Sequence, residues 1–129
     1  LNLLTAIKKN RNPYVVIVET NKNFYIISIL IESGYDPSMY NNAALRAACY
    51  YGSYECVKLL LNDQCVDINN YDEDNNKSMA SIVLAMNERH INIVLLLLND
   101  SRIDIFCRGQ SHRDWRSVLL TLNCGITNL

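Results

Sequence analysis

Glycine and proline are scarce, with four and two among 129 residues. Too few glycines are present to build a glycine-rich loop of the kind that cradles phosphate. An excess of one charge is lacking as well: 12 Lys and Arg stand against 13 Asp and Glu, for a net charge of −1. General nucleic-acid and membrane-surface binders are strongly basic, so neither role is expected. Long apolar runs are missing. The longest, residues 24–31 (with one Ser) and 93–98, fall far short of the about 20 residues that span a bilayer. No membrane insertion is expected. The first twelve residues, LNLLTAIKKNRN, carry their charges after their apolar residues, the reverse of a signal peptide. No CxxC occurs, and the five cysteines are odd in number: Cys49, Cys56, Cys65, Cys107 and Cys124. This pattern reads as reduced core thiols in an intracellular, cytoplasmic protein. The chain does not begin with Met and can be a piece of a longer one.

What the chain does have is a repeat. AALRAACYYGSYECVKLLLNDQCVDIN begins at Ala43, and ASIVLAMNERHINIVLLLLNDSRIDIF begins 37 residues later at Ala80. Ten of the 27 positions are identical without a gap. In the earlier copy, Ala44, Leu45, Ala47, Ala48 and Cys49 suit a short, tightly packed helix. Gly52 follows as a left-handed cap and Ser53 as an N-cap. Cys56, Val57, Leu60 and Leu61 then form one apolar stripe at helical spacing. Asn62 and Asp63 end that helix, and Val66, Asp67, Ile68 and Asn69 read as an extended exit. In the later copy Arg89 replaces Gly52. A non-glycine residue in a left-handed cap costs on the order of 1 kcal/mol, so this turn is expected to be rebuilt.

A more degenerate copy precedes these two. Asn12 and Pro13 read as an N-cap and first helical position. Residues 14–18 are the first helix, with strand as the alternative because the segment is β-branched. Register with the later copies favours helix. Residues 24–31 form the second helix, Gly34 caps it, and residues 35–38 are an extended exit. Ser111 and Asp114 resemble a capping box before a helix over 115–122. Residues 1–9 read as an N-terminal helix. A helix pair cannot bury its own apolar faces alone, but stacked on a neighbour it can.

These residues resemble the ankyrin repeat family, whose unit opens T-P-L-H-x-A-A-x-x-G-H and ends L-L-L before G-A-D-V-N. Leu45, Ala48, Cys49 and Gly52 fit the opening, with Cys49 in place of the second Ala. Ala43, Ala44 and Arg46 replace Thr, Pro and His. LLLNDQCVDIN fits the ending with one extra residue. His90 keeps the His after the turn. The resemblance implies an all-α solenoid of stacked antiparallel helix pairs with extended connecting loops. A single domain over 1–129 is expected: a capping helix at 1–12, repeats at 13–42, 43–79 and 80–110, and a partial or capping repeat at 111–129.

Asp72, Asp74 and Asn76 copy the first three ligands of an EF-hand loop, but Lys77 stands where Gly is needed and Val83 where Glu is needed. A solvated loop tip is expected instead of a calcium site. Cys107, His112 and Cys124 could supply three zinc ligands, yet the spacing is irregular and no fourth is evident. Nucleophilic catalysis at the same residues lacks an orienting third group. No metal, cofactor or catalytic residue is therefore assigned, and His90 reads as a structural turn residue. Arg102, Arg108, Arg113 and Arg116 cluster with His112 and Trp115, a group able to hold phosphate. A solvated capping helix is the favoured reading.

The family resemblance further implies a concave face, made by the first helices and loop tips, that binds another protein. Here those places hold Tyr40 and Asn42, then Tyr50 and Tyr51. The next unit adds Tyr71, Asp72, Glu73 and Asp74, then Asn87 and Glu88. A non-enzymatic module that binds a protein partner with a basic surface is expected, with an architectural segment of a larger protein as the alternative. Tyr54, inside the second helix, reads as packing.

Overall fold

Asn12 and Pro13 open the first helix in the way the sequence predicts. The computed structural model of the protein describes residues 12–20, 23–70 and 80–103. The Asn12 side-chain oxygen accepts the Tyr14 N–H at 3.0 Å, and Pro13 has no N–H left to satisfy. Helix α1, Pro13–Thr20, follows, so the β-branched segment is helical. Asn23 caps α2, Phe24–Glu32, by accepting the Tyr25 N–H at 3.0 Å. Gly34, at φ 92°, ends it as expected, and the Tyr35 N–H returns to the Leu30 carbonyl.

Helix α3, Met39–Tyr51, carries three consecutive left-handed residues, Tyr40, Asn41 and Asn42, near its start. Regular helix therefore begins at Ala43. Gly52 closes α3 at φ 77°, and the Ser53 N–H bonds the Ala48 carbonyl at 3.0 Å. Ser53 does not cap α4, Tyr54–Leu61, with its side chain, contrary to expectation. Its hydroxyl is buried and unbonded, while its carbonyl accepts the Val57 N–H.

The later unit repeats this backbone in α5, Ser81–Asn87, and α6, Ile91–Leu98. Arg89 adopts φ 60°, and the His90 N–H bonds the Ala85 carbonyl at 2.9 Å. The turn is thus copied rather than rebuilt. Arginine occupies a conformation that glycine would occupy without strain, because the return of the chain to the stack demands that geometry.

The exits after the second helices are irregular: residues 35–36 leave as non-helical chain before a turn at 37–38, and 66–67 do so before a turn at 68–69. The Asp36 carboxylate accepts both the N–H and the hydroxyl of Ser38 at 2.9 and 2.7 Å, which lowers its pKa. Asp63, Asp67 and Asp100 likewise accept the N–H two residues on, from Cys65, Asn69 and Arg102. These local side-chain bonds replace the peptide–peptide bonds of an extended ladder.

Helices α1, α3 and α5 pack side by side as one row, and α2, α4 and α6 pack as a second row behind it. The rows enclose a continuous core from Tyr14 and Ile27 through Leu45, Leu60 and Ile68 to Ile82, Ile93 and Leu97. Tyr14 is buried, and its hydroxyl donates to the Tyr35 carbonyl. Burial, aided by Asp63 and Asp36, pushes that phenol up to about 12, so it stays a donor. Ala48 and Ala85 are both fully buried at equivalent places. Cys49 meets Ser81 across the α3–α5 contact, and burial pushes its thiol up to about 12. Cys49, Cys56 and Cys65 are free thiols, the first two buried on packed helices as expected. The predicted helices at 1–9 and 115–122, the Ser111 capping box, Cys107 and Cys124 lie outside the described residues.

Replacing Ala48 or Ala85 by Leu is expected to overpack the row and lower stability by about 1–3 kcal/mol, read from urea denaturation midpoints. Arg89→Gly acts in the opposite direction. Relief of the left-handed strain outweighs the added freedom of the unfolded chain, and a gain of about 0.5 kcal/mol is expected in the same measurement.

Candidate interaction surface

The pattern of buried and exposed residues is shared by the three first helices, and this register builds a surface. Tyr14 matches Leu45 and Ile82, all buried, and Ile17 matches Ala48 and Ala85. The same alignment puts Glu19, Tyr50 and Asn87 in one exposed line at the turn end of the row. Tyr51 and Glu88 stand one position further, also exposed. Because α3 lies between α1 and α5, Tyr50 sits in the middle of this line.

Tyr50 is 44% exposed and Tyr51 37%. Their rings meet edge to face, with centroids 4.9 Å apart and planes at 85°. The backbone beneath them is fixed by the next repeat. His90 Nε2 lies 3.0 Å from the Tyr50 carbonyl, and in its Nε2–H tautomer the ring donates to that oxygen. The ring also lies over Gly52, where an added Cβ would fall 2.6–2.9 Å from its atoms. Gly52 is required twice, for its φ and for this close approach. His90 accordingly holds two neighbouring turns together, the structural role read from the sequence.

At the loop end of the row Tyr40 is 58% exposed. Its left-handed backbone is held by its surroundings. Arg46 Nη2 donates to the Tyr40 carbonyl at 3.5 Å, and Asn12 Nδ2 donates to the Met39 carbonyl at 3.4 Å. Asn42 is buried, at 5% exposure, and its side-chain oxygen accepts the Asp67 N–H at 2.8 Å. That bond ties the start of α3 to the loop after α4. Tyr71, Asp72, Glu73 and Asp74 lie outside the described residues. Reasoning from the motif alone missed Glu19, although it stands 31 residues before Tyr50.

Arg102 leaves the basic cluster proposed from sequence. Its guanidinium forks onto Asp100 at 3.0 and 2.9 Å and also donates to the Leu61 carbonyl at 2.7 Å. Its own carbonyl accepts from Asn69 Nδ2 at 2.8 Å. Those hydrogen bonds lower the Asp100 pKa and raise that of Arg102. Arg102 therefore staples consecutive repeats. The other members, Arg108, Arg113, Arg116, His112 and Trp115, lie outside the described residues. Tyr54 is half-buried and packs against the core, as read from the sequence, with Lys58 Nζ 5.8 Å from its ring centre.

An open groove of about 250 Å³ lies between α4 and α6, lined by Lys58, Leu61, Asn62, Leu96, Asn99 and Asp100. It belongs to the opposite row from the tyrosines, and its one carboxylate is already paired with Arg102. Among the described residues no three His, Cys, Asp or Glu side chains converge as metal ligands would. No described helix is long and apolar enough to cross a membrane.

A family model of ankyrin repeats, in three copies, matches residues 5–108. No curated protein and no solved structure matches the chain.

Gly52→Ala is expected to destabilise the protein by about 2 kcal/mol, combining strain at positive φ with the clash against His90. In the His90→Ala background the same substitution should cost about 1 kcal/mol, the share due to φ alone. Chemical denaturation of the four proteins of this cycle separates the two terms.

Proposed function

The chain belongs to the ankyrin repeat family, whose repeats generally serve as protein–protein interaction modules and are typically non-enzymatic, and we propose that it binds a partner protein through the concave face of its first-helix row. The observation that carries this reading is the exposure of Tyr40, Tyr50 and Tyr51 on that row. Aromatic side chains with a polar tip give large contact area at modest entropic cost, and they anchor many interfaces. Asn87 and Glu88 stand at the matching positions of the next first helix, and Tyr71, Asp72, Glu73 and Asp74, outside the described residues, are proposed as further partner contacts.

The carboxylates favour a partner with basic residues and disfavour nucleic acid, whose phosphates they would repel. The chain is organised as repeats 13–42, 43–79 and 80–110 between end segments. Buried thiols at Cys49 and Cys56 suit a reducing, cytoplasmic setting.

The test begins with affinity capture from the native cells and identification of the partner by mass spectrometry. The double variant Tyr50→Ala with Tyr51→Ala is then expected to weaken that complex by about 2 kcal/mol or more, with helical circular dichroism unchanged. Reversing Asp72 and Asp74 to Lys should mainly slow association at low salt. Undiminished binding by the tyrosine variant would move the interface elsewhere. Failure to capture any partner would favour an architectural segment.

A further inference from the structure

Charge is unevenly spread along the chain. Residues 23–100 hold ten acidic and four basic residues, while residues 1–22 hold one acidic and four basic. The repeats that make the stack are therefore acidic, although the whole chain is nearly neutral. On the turn end of the first-helix row, this acidity is placed around the aromatic pair. In the register of the repeats Tyr50 stands level with Glu19 of the preceding helix of the row, and Tyr51 level with Glu88 of the following one. Stacked helices sit roughly 8–10 Å apart, so one long side chain laid across Tyr51 reaches the carboxylate beyond it.

Two cations share the neighbourhood. Arg46, one turn before Tyr50, sends its guanidinium toward the Tyr40 carbonyl at the other end of α3. Arg89 follows Glu88 directly, at the left-handed turn, and no ion pair joins the two among the described residues. His90 is committed to the Tyr50 carbonyl and to Gly52.

We propose that this edge takes an arginine side chain from a basic segment of the partner, stacked on the Tyr50–Tyr51 pair with its guanidinium directed to Glu88. The proposal rests on the interaction-module reading above and names the chemistry of what that face holds. Arginine fits better than lysine for three reasons. Its guanidinium is planar and stacks on an aromatic ring. It is more weakly hydrated than an ammonium, so it loses less on leaving water. Its fork matches a carboxylate with two parallel hydrogen bonds. An edge-to-face ring pair offers one ring face as a floor and the other ring as a wall, and a flat cation fills that corner better than a tetrahedral one.

The test uses the full chain and three fluorescently labelled nonapeptides at physiological salt: all-arginine, all-lysine and all-citrulline. Citrulline keeps the planar shape and removes the charge. The arginine peptide is expected to bind about tenfold more tightly than the lysine peptide, and the citrulline peptide to lose binding. Tyr50→Ala, Tyr51→Ala and Glu88→Gln should each weaken the arginine peptide about fivefold, while Tyr51→Phe, which keeps the ring, should not. Glu55→Gln, an exposed acid on the second-helix row, serves as the control for general acidity and should leave affinity unchanged. Equal binding of the arginine and lysine peptides would overturn the proposal. So would a loss in Glu55→Gln as large as in Glu88→Gln, or intact binding after Glu88→Gln, a surface change that leaves the fold in place. If the arginine peptide fails to bind while the double tyrosine variant still loses the captured partner, the face stands and the arginine assignment falls.

Discussion

Helices of seven to thirteen residues cannot shield their own apolar faces, and every other feature of this protein follows from that constraint. Each pair must be covered by the next, and close cover requires small residues where the first helices meet. Ala44, Ala48 and Cys49 on α3 are fully buried, as are Ser81 and Ala85 on α5, and Cys49 meets Ser81 across that contact. The second row fills the space behind with Leu60, Ile93 and Leu97. Stability is therefore a property of neighbouring contacts, not of any one helix.

The stack also dictates the backbone between helices. A first helix must turn back within two or three residues to place the second helix behind it, and the left-handed turn at Gly52 or Arg89 achieves this. The protein accepts strain at Arg89 because the alternative is to lose the pairing. Elsewhere it manages with few glycines by using Asn and Asp as local acceptors. Asn12, Asn23, Asp36, Asp63, Asp67 and Asp100 each accept the N–H two residues further on. The scarcity of glycine and the abundance of such turns are two sides of one solution.

Once the stack is built, position along it decides what each polar or aromatic residue does. Residues that face the neighbouring unit become connectors: His90 to Tyr50, Arg102 to Leu61, Asn42 to Asp67. Residues at the ends of the first helices remain in contact with solvent, and there the chain carries Glu19, Tyr50, Tyr51, Asn87 and Glu88. Recognition on such a scaffold is a matter of these exposed side chains, because the frame beneath them is common to the family.

Periodicity and spacing made the helix pairs, their approximate ends, Gly52 as the cap and the equivalence of Ala48 with Ala85 legible in the sequence. These features are local, or they repeat, and a repeat announces its own register. The fate of Asn42, Arg102 and Arg89 was not legible. Asn42 sits at a loop tip in the motif, yet it is buried because a carboxyl-terminal neighbour, Asp67, presents an N–H to it from 25 residues away. Arg102 reads as a member of a basic cluster, yet it serves the carbonyl of Leu61, 41 residues back. Arg89 reads as a broken cap, yet packing holds it in glycine's conformation. The sequence by itself determined that this chain is a stack of helix pairs, since hydrophobic spacing acts within each segment. Only the tertiary structure decided which polar side chains bind the protein to itself and which stay exposed, since that depends on backbone groups brought close from the next repeat.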